Sequence, residues 1–277
     1  MSYKTILVHL PDDKRTPALM SLALDIARTF DAHVIGIYVF PAYRIAPPIP
    51  LPFGSDIVGQ IKRAVAEDID RTHKAFDAAT ANQPVVCEWR AITSQRRDAC
   101  DIVLEHARSA DLVIASQADP DWDLTAVLDF PDRLALGAGK PVIVLPNAGK
   151  FRMPKRITVA WNDRREAARA LTDALPLLKQ ADDVTVVTVT EEKPREGQLP
   201  DTEIGAALAR HGVKVRLVAD ERGDRSVGDA INRQAEAAHA DLLVMGAYGH
   251  SRVHELVFGG ATRHLLADMT LPVLFSH

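Results

Sequence analysis

The stretch Asp241-Leu242-Leu243-Val244-Met245-Gly246-Ala247-Tyr248-Gly249-His250, continued by Ser251 to Phe258 and then by Gly259-Gly260-Ala261-Thr262-Arg263-His264, decides how this chain is read. Leu242 to Met245 form a short apolar run of the kind that makes a buried parallel strand. Gly246 and Gly249 follow at once, then Gly259 and Gly260, and Ala261 to Leu266 read as the first turns of a helix. A strand, a glycine-punctuated loop and a helix start together make an anion site. Glycine lets the backbone turn with positive φ and approach a ligand closely. Loop amides and the helix N-terminus then point at negative charge, which phosphate supplies. The spacing is neither Gly-x-Gly-x-x-Gly nor a P-loop ending in Gly-Lys-Ser/Thr.

Upstream, strands and helices alternate. Thr5 to His9 reads as a strand, Thr16 to Thr29 as a helix, and Val34 to Phe40 as a second strand. Pro41 to Pro52 holds five prolines and cannot be regular structure. A long helix from Asp56 to Ala81 precedes a strand over Pro84–Ile92, a helix over Arg97–Arg108, a strand over Leu112–Ala115, a short helix around Leu134–Leu136 and a strand over Val142–Leu145. The order then restarts. Strands are expected at Ile157–Trp161, Val184–Thr190, Val213–Ala219, Leu242–Met245 and Leu271–Phe275, with helices at Arg165–Lys179, Thr202–His211, Val227–Ala238 and Thr262–Asp268.

The two halves repeat in detail. Ala110-Asp111-Leu112-Val113-Ile114 matches Ala240-Asp241-Leu242-Leu243-Val244, and Lys140-Pro141-Val142-Ile143-Val144 matches Leu271-Pro272-Val273-Leu274-Phe275. Ile6 lies 151 positions before Ile157 but Asp111 only 130 before Asp241, so the first half carries extra residues in its proline-rich loop and long helix. Alternating strands and helices imply parallel sheets with right-handed crossovers and helices on both faces. The expected fold is α/β: two tandem doubly wound, five-stranded parallel sheets, Rossmann-like, over residues 1–147 and 152–277, with a polar linker at Asn147-Ala148-Gly149-Lys150.

The order Gly, two residues, Gly, nine residues, Gly resembles the ATP-binding motif of the universal stress protein family, and the five-stranded repeat resembles that family's fold over the whole chain. A Ser or Thr usually follows the last glycine in the family; Gly260 stands there, with Thr262 two residues on. The resemblance implies an adenine nucleotide, ATP with or without Mg²⁺, held by Gly246, Gly249, His250, Gly259, Gly260, Ala261 and Thr262 around the phosphates. It places Ala160, Trp161, Asn162 and Asp163 after the first strand of the second half, where the family usually has an Asp near ribose and adenine. Asn162 takes that place as an amide that donates and accepts; a helix cap ahead of Arg164 is the compatible alternative. Thr188 and Val189 would offer backbone groups to adenine. The family's last strands pair edge to edge between domains, which Val142–Leu145 and Val273–Phe275 would do within one chain as an intramolecular pseudo-dimer; a further homodimer stays open.

The first half has lost the motif. At the offset of 130, Ser116, Asp119 and Asp129 replace Gly246, Gly249 and Gly259, and Asp121, Asp123 and Asp132 add negative charge. Carboxylates where phosphates should sit are unfavourable, so no ATP is expected there. A solvated acidic loop or a site for a hard divalent cation are the open readings. The apolar proline-rich loop either packs on a neighbour or covers a pocket for a hydrophobic metabolite.

Composition narrows the classes. A 277-residue chain that is 47% hydrophobic and 25% charged suits one large globular domain or two smaller ones. A net charge of −4 with scattered Lys and Arg argues against nucleic acid. No apolar run approaches the roughly 18 residues of a membrane span, and Met1-Ser2-Tyr3-Lys4 runs straight into a strand pattern, so a cytoplasmic protein without a signal peptide is expected. Cys87 and Cys100 alone make neither a disulfide framework nor a zinc site. His250 and His254 are four apart but lack the HExxH order, so no metal centre is expected; Arg252 and Arg263 suit phosphate charge. No nucleophile signature is present, so no catalytic residue is assigned. The sequence thus reads as a nucleotide-dependent switch with unknown protein partners. A slow Mg²⁺-dependent ATPase, with Asp163 or His250 positioning water, is the alternative.

Overall fold

The computed structural model describes residues 2–41, 54–94, 98–118, 130–190, 202–247, 266 and 269–277. These divide into two compact units: Tyr3–Ser116 with Asn147–Arg152, and Met1–Ser2 and Gln117–Pro146 with Met153–His277.

In the first unit, β1 (Thr5–His9), β2 (His33–Pro41), β3 (Cys87–Ser94) and β4 (Leu112–Ser116) alternate with α1 (Thr16–Phe30), α2 (Gly54–Thr80) and α3 (Ala99–Ala107). The order across the sheet is β3-β2-β1-β4, all parallel. β4 is buried along its whole length, as expected of a strand covered on both faces. α1 opens with a proline in its first turn and closes at Asp31, which takes a left-handed φ of 52°. α3 is capped by Asp98, whose carboxylate accepts from the Cys100 N–H at 2.9 Å.

In the second unit, α4 (Phe130–Gly137) and β5 (Val142–Leu145) precede β6 (Arg156–Trp161), α5 (Arg165–Leu178), β7 (Asp183–Thr190), α6 (Thr202–Arg210), β8 (Val215–Glu221), α7 (Val227–Ala237), β9 (Leu242–Gly246) and β10 (Val273–Ser276). The sheet order is β5-β10-β9-β6-β7-β8. β10, β9, β6, β7 and β8 are parallel. β5 joins antiparallel, with Val142 opposite Phe275, Ile143 opposite Leu274 and Val144 opposite Val273. This is the edge pairing that the family resemblance implied, and it buries Ile143, Val144, Leu274 and Phe275 completely.

One device anchors the first strand of both repeats. Asp111, just before β4, accepts the backbone N–H groups of Lys4 at 2.7 Å and Thr5 at 3.0 Å. Asp241, just before β9, accepts those of Lys155 at 2.9 Å and Arg156 at 2.8 Å. The lysines match as well: Lys4 Nζ donates to the carbonyl of Asp31 at 3.0 Å, and Lys155 Nζ to that of Gln180 at 3.1 Å. The Ala-Asp match seen in sequence is therefore a matched set of hydrogen bonds. Among the described residues, no helix is long and apolar enough to cross a membrane.

Candidate functional site

In the second unit, β6 is the strand from which the chain winds both ways, with β7 on one side and β9 on the other. In open α/β sheets the crevice beyond the C-terminal strand ends at such a reversal is where ligands sit. β6 ends at Trp161, opposite Thr188 of β7. β7 runs two residues further, with Val189 and Thr190 pairing on their other side with Asp220 and Glu221 of β8. β7 thus overhangs β6 beside the crevice. Ala160, Thr188 and Val189 are half-buried, Trp161 is buried, and Asn162 and Asp163 are exposed.

The turn after β6 is built by its own side chains. Asn162 Oδ1 accepts the Arg164 N–H at 3.2 Å, an Asx-type turn ahead of α5 rather than the helix cap considered from sequence. Asp163 takes a left-handed φ of 54°, a conformation that Asp tolerates better than most residues. Arg164, the residue before α5, gives the helix no side-chain cap.

Gly246 closes β9 on the other flank. It does not have the positive φ that a loop glycine supplies. Its requirement is proximity: a β-carbon there would stand 2.5 Å from the Glu166 carbonyl carbon and 2.6 Å from the Ala167 nitrogen. The first turn of α5 therefore lies directly on the end of β9.

That contact buries Glu166, which is 6% exposed. Its Oε1 accepts from Arg165 Nε at 2.5 Å. Burial works to raise its pKa, but the hydrogen bond from Arg165, the residue's own backbone N–H and the charges of Arg165 and His277 outweigh it, so the carboxyl sits below its ordinary value. α5 therefore carries its own anion in its first turn. His277 Nδ1–H donates to the Ala247 carbonyl at 3.0 Å, and the Ala247 N–H donates to Ser276 O at 2.8 Å, which fixes the first residue after Gly246. At the end of β8, Asp220 is 6% exposed and pairs with Arg233. Sequence reasoning missed Glu166, Asp220 and His277, because each acquires its setting only through contacts between distant elements.

Of the residues expected to hold a nucleotide, Ala160, Trp161, Asn162, Asp163, Thr188, Val189 and Gly246 gather at this strand edge. Gly249, His250, Gly259, Gly260, Ala261 and Thr262 lie outside the described residues, as do Arg252 and Arg263.

The first unit is built differently at the matching place. Arg15, just before α1, sits 3.3 Å from Asp12 Oδ2 through Nε and donates from Nη1 to Ser116 Oγ at 3.3 Å. A side chain thus fills the place where glycine admits helix backbone in the second unit. At the end of β1, burial and then the charge of Arg15 lower the His9 pKa to about 3. Asp119, Asp121, Asp123, Asp129 and the prolines of 42–52 lie outside the described residues.

Residues 153–277 match the model of the universal stress protein family. The second half of the chain carries this family's domain. Universal stress protein Slr1230 of Synechocystis sp. is 28% identical over 149 residues, covering 52% of this chain and 49% of the relative. The chain thus spans about half the length of the curated relative it matches. A universal stress protein from Archaeoglobus fulgidus DSM 4304 superposes with a TM-score of 0.70 at 14% identity, over 98% of this chain and 95% of that one. A putative universal stress protein from Pseudomonas aeruginosa UCBPP-PA14 gives 0.58 at 14% identity, over 99% and 93%. At such identities these structures speak for the fold alone, which they share along the chain.

Proposed function

We propose that this protein binds ATP or a related adenine nucleotide at the C-terminal edge of β6, β7 and β9, and that the nucleotide gates contacts with partner proteins. The observation that carries the reading is the overhang of Val189 and Thr190 past Trp161, at the reversal of strand order and across β6 from Gly246. The Thr190 carbonyl is taken by the Arg222 N–H at 2.8 Å, while past the end of β6 Val189 offers backbone groups to the edge of a base. Asn162 and Asp163 stand beside it for the sugar. The phosphates fall to residues 246–262, because Glu166 already supplies the anion of the α5 terminus. Bound nucleotide contributes charge at the glycine motif, and the surface so changed is what a partner reads.

The reading divides the chain into a nucleotide-binding domain over 152–277 and a companion domain over 1–147 that binds none. In the companion, Arg15 and Ser116 occupy the counterpart of the Gly246 contact. The β5–β10 pairing does within one chain what a dimer edge would do between two, and the protein works in the cytoplasm.

The test is mass spectrometry of ligand released from purified protein, then calorimetric titration with ATP and Mg²⁺. One ATP per chain, lost in Gly249→Asp, supports the reading. No heat and no released nucleotide would overturn it.

A further inference from the structure

We infer that the indole N–H of Trp161 reads the ligand of this site, donating to a ring nitrogen or ribose oxygen of the bound purine nucleotide. The inference rests on the nucleotide reading above and names a specificity group within it. Trp161 is 8% exposed and is the last residue of β6, level with Thr188 at the mouth of the crevice. Its Nε1 is buried and has no hydrogen-bond partner among the described residues. Buried donors are almost always satisfied, because dehydrating an N–H without giving it an acceptor is costly. Indole nitrogen only donates, so turning the ring cannot convert it into an acceptor for a neighbouring donor.

Packing alone does not call for this donor. At the offset of 151 that aligns Ile6 with Ile157, the counterpart of Trp161 in the first repeat is Leu10, which is fully buried and wholly hydrocarbon. This position can therefore be closed by hydrocarbon alone. Within the crevice, Val189 beyond the end of β6 offers backbone to one edge of a base. The indole N–H then supplies a donor from β6, so base and sugar are held from two strands. Purine nucleotides carry acceptors at the ring nitrogens and the ribose oxygens that meet such a donor.

The test uses the full chain, labelled with ¹⁵N and titrated with ATP and Mg²⁺, with the Trp161 indole cross-peak assigned by its loss in Trp161→Phe. The cross-peak is expected to move downfield and to saturate with the Kd found by calorimetry. Trp161→Phe keeps an aromatic ring and removes the N–H; it is expected to bind ATP about tenfold more weakly, the usual worth of one hydrogen bond in such a site. A cross-peak that stays put at saturating ATP overturns the inference, as does a well-folded Trp161→Phe that binds as tightly as the wild type. Where the variant melts early, the wild-type titration decides alone. Wild-type protein that binds ATP without moving this cross-peak removes the role of Trp161 and leaves the nucleotide reading standing. Wild-type protein that binds no nucleotide removes both.

Discussion

Gly246 and Glu166 are in backbone contact: the α-carbon that ends β9 lies so near the first turn of α5 that a β-carbon on it would come within 2.5 Å of the Glu166 carbonyl carbon. The neighbour is main chain at the start of a helix and cannot swing aside. Gly246→Ala must push α5 off the sheet or bend the end of β9. Overpacking of this kind costs about 1–3 kcal/mol. Chemical denaturation should show a lower midpoint at unchanged slope, and an unchanged midpoint would mean that α5 is free to slide.

Asp241 ties the start of β6 to the start of β9 by accepting from Lys155 N–H and Arg156 N–H. Asp241→Ala leaves both strand-end donors to water and should cost about 1–2 kcal/mol, the worth of half-exposed bonds to a charged acceptor. Asp111→Ala should cost a similar amount through Lys4 and Thr5. Asn at either position keeps one acceptor oxygen and should fall between. Equal stability of Asp241→Ala and wild type in urea would show that the carboxylate only decorates the turn.

His9 makes stability depend on pH in a stated direction. In the unfolded chain it takes a proton near pH 6.5, and in the folded protein, held back by burial and then by the Arg15 charge, not until about pH 3. Between those values the unfolded state binds more protons than the folded one, so stability rises with pH and is lost on acidification. One such group adds a slope of up to about 1.4 kcal/mol per pH unit. His9→Leu should flatten the wild-type curve over that window, measured by denaturant melts at several pH values. Parallel curves for the two proteins would contradict the half-buried neutral imidazole.

The strand–glycine stretch ending in Gly246 and the Ala-Asp repeat were legible because each is local. A short apolar run bounded by glycine needs no partner to be recognised, and Asp111 and Asp241 stand at matching places in matching strings. Glu166 was not legible. It looks like any acidic residue in the first turn of a surface helix, and it is buried only because a glycine 80 positions later admits the helix. The start of β8 was misplaced for a related reason. Val213 fits the strand pattern, yet its N–H turns back to Leu208 O at 3.1 Å behind Gly212, whose φ of 80° closes α6, so the strand begins at Val215. Alternation of side chains cannot reveal which residue a helix cap has taken.

Asn162 offers a substitution that separates ligand from fold. Its Oδ1 accepts the Arg164 N–H, and a carboxylate in the same place accepts that bond equally well, so Asn162→Asp should leave the melting temperature near that of the wild type. Toward the ligand the two differ. An amide presents one acceptor and one donor, whereas a carboxylate presents acceptors only and makes charge-assisted bonds to ribose hydroxyls. ATP should therefore bind Asn162→Asp roughly threefold to tenfold more tightly, the difference between a neutral and a charged hydrogen bond. Calorimetry with ATP and with adenine alone reads the outcome, since adenine lacks the sugar and should gain nothing. Tighter binding of both ligands, or of neither, would mean that residue 162 does not face the ribose and serves only the turn into α5.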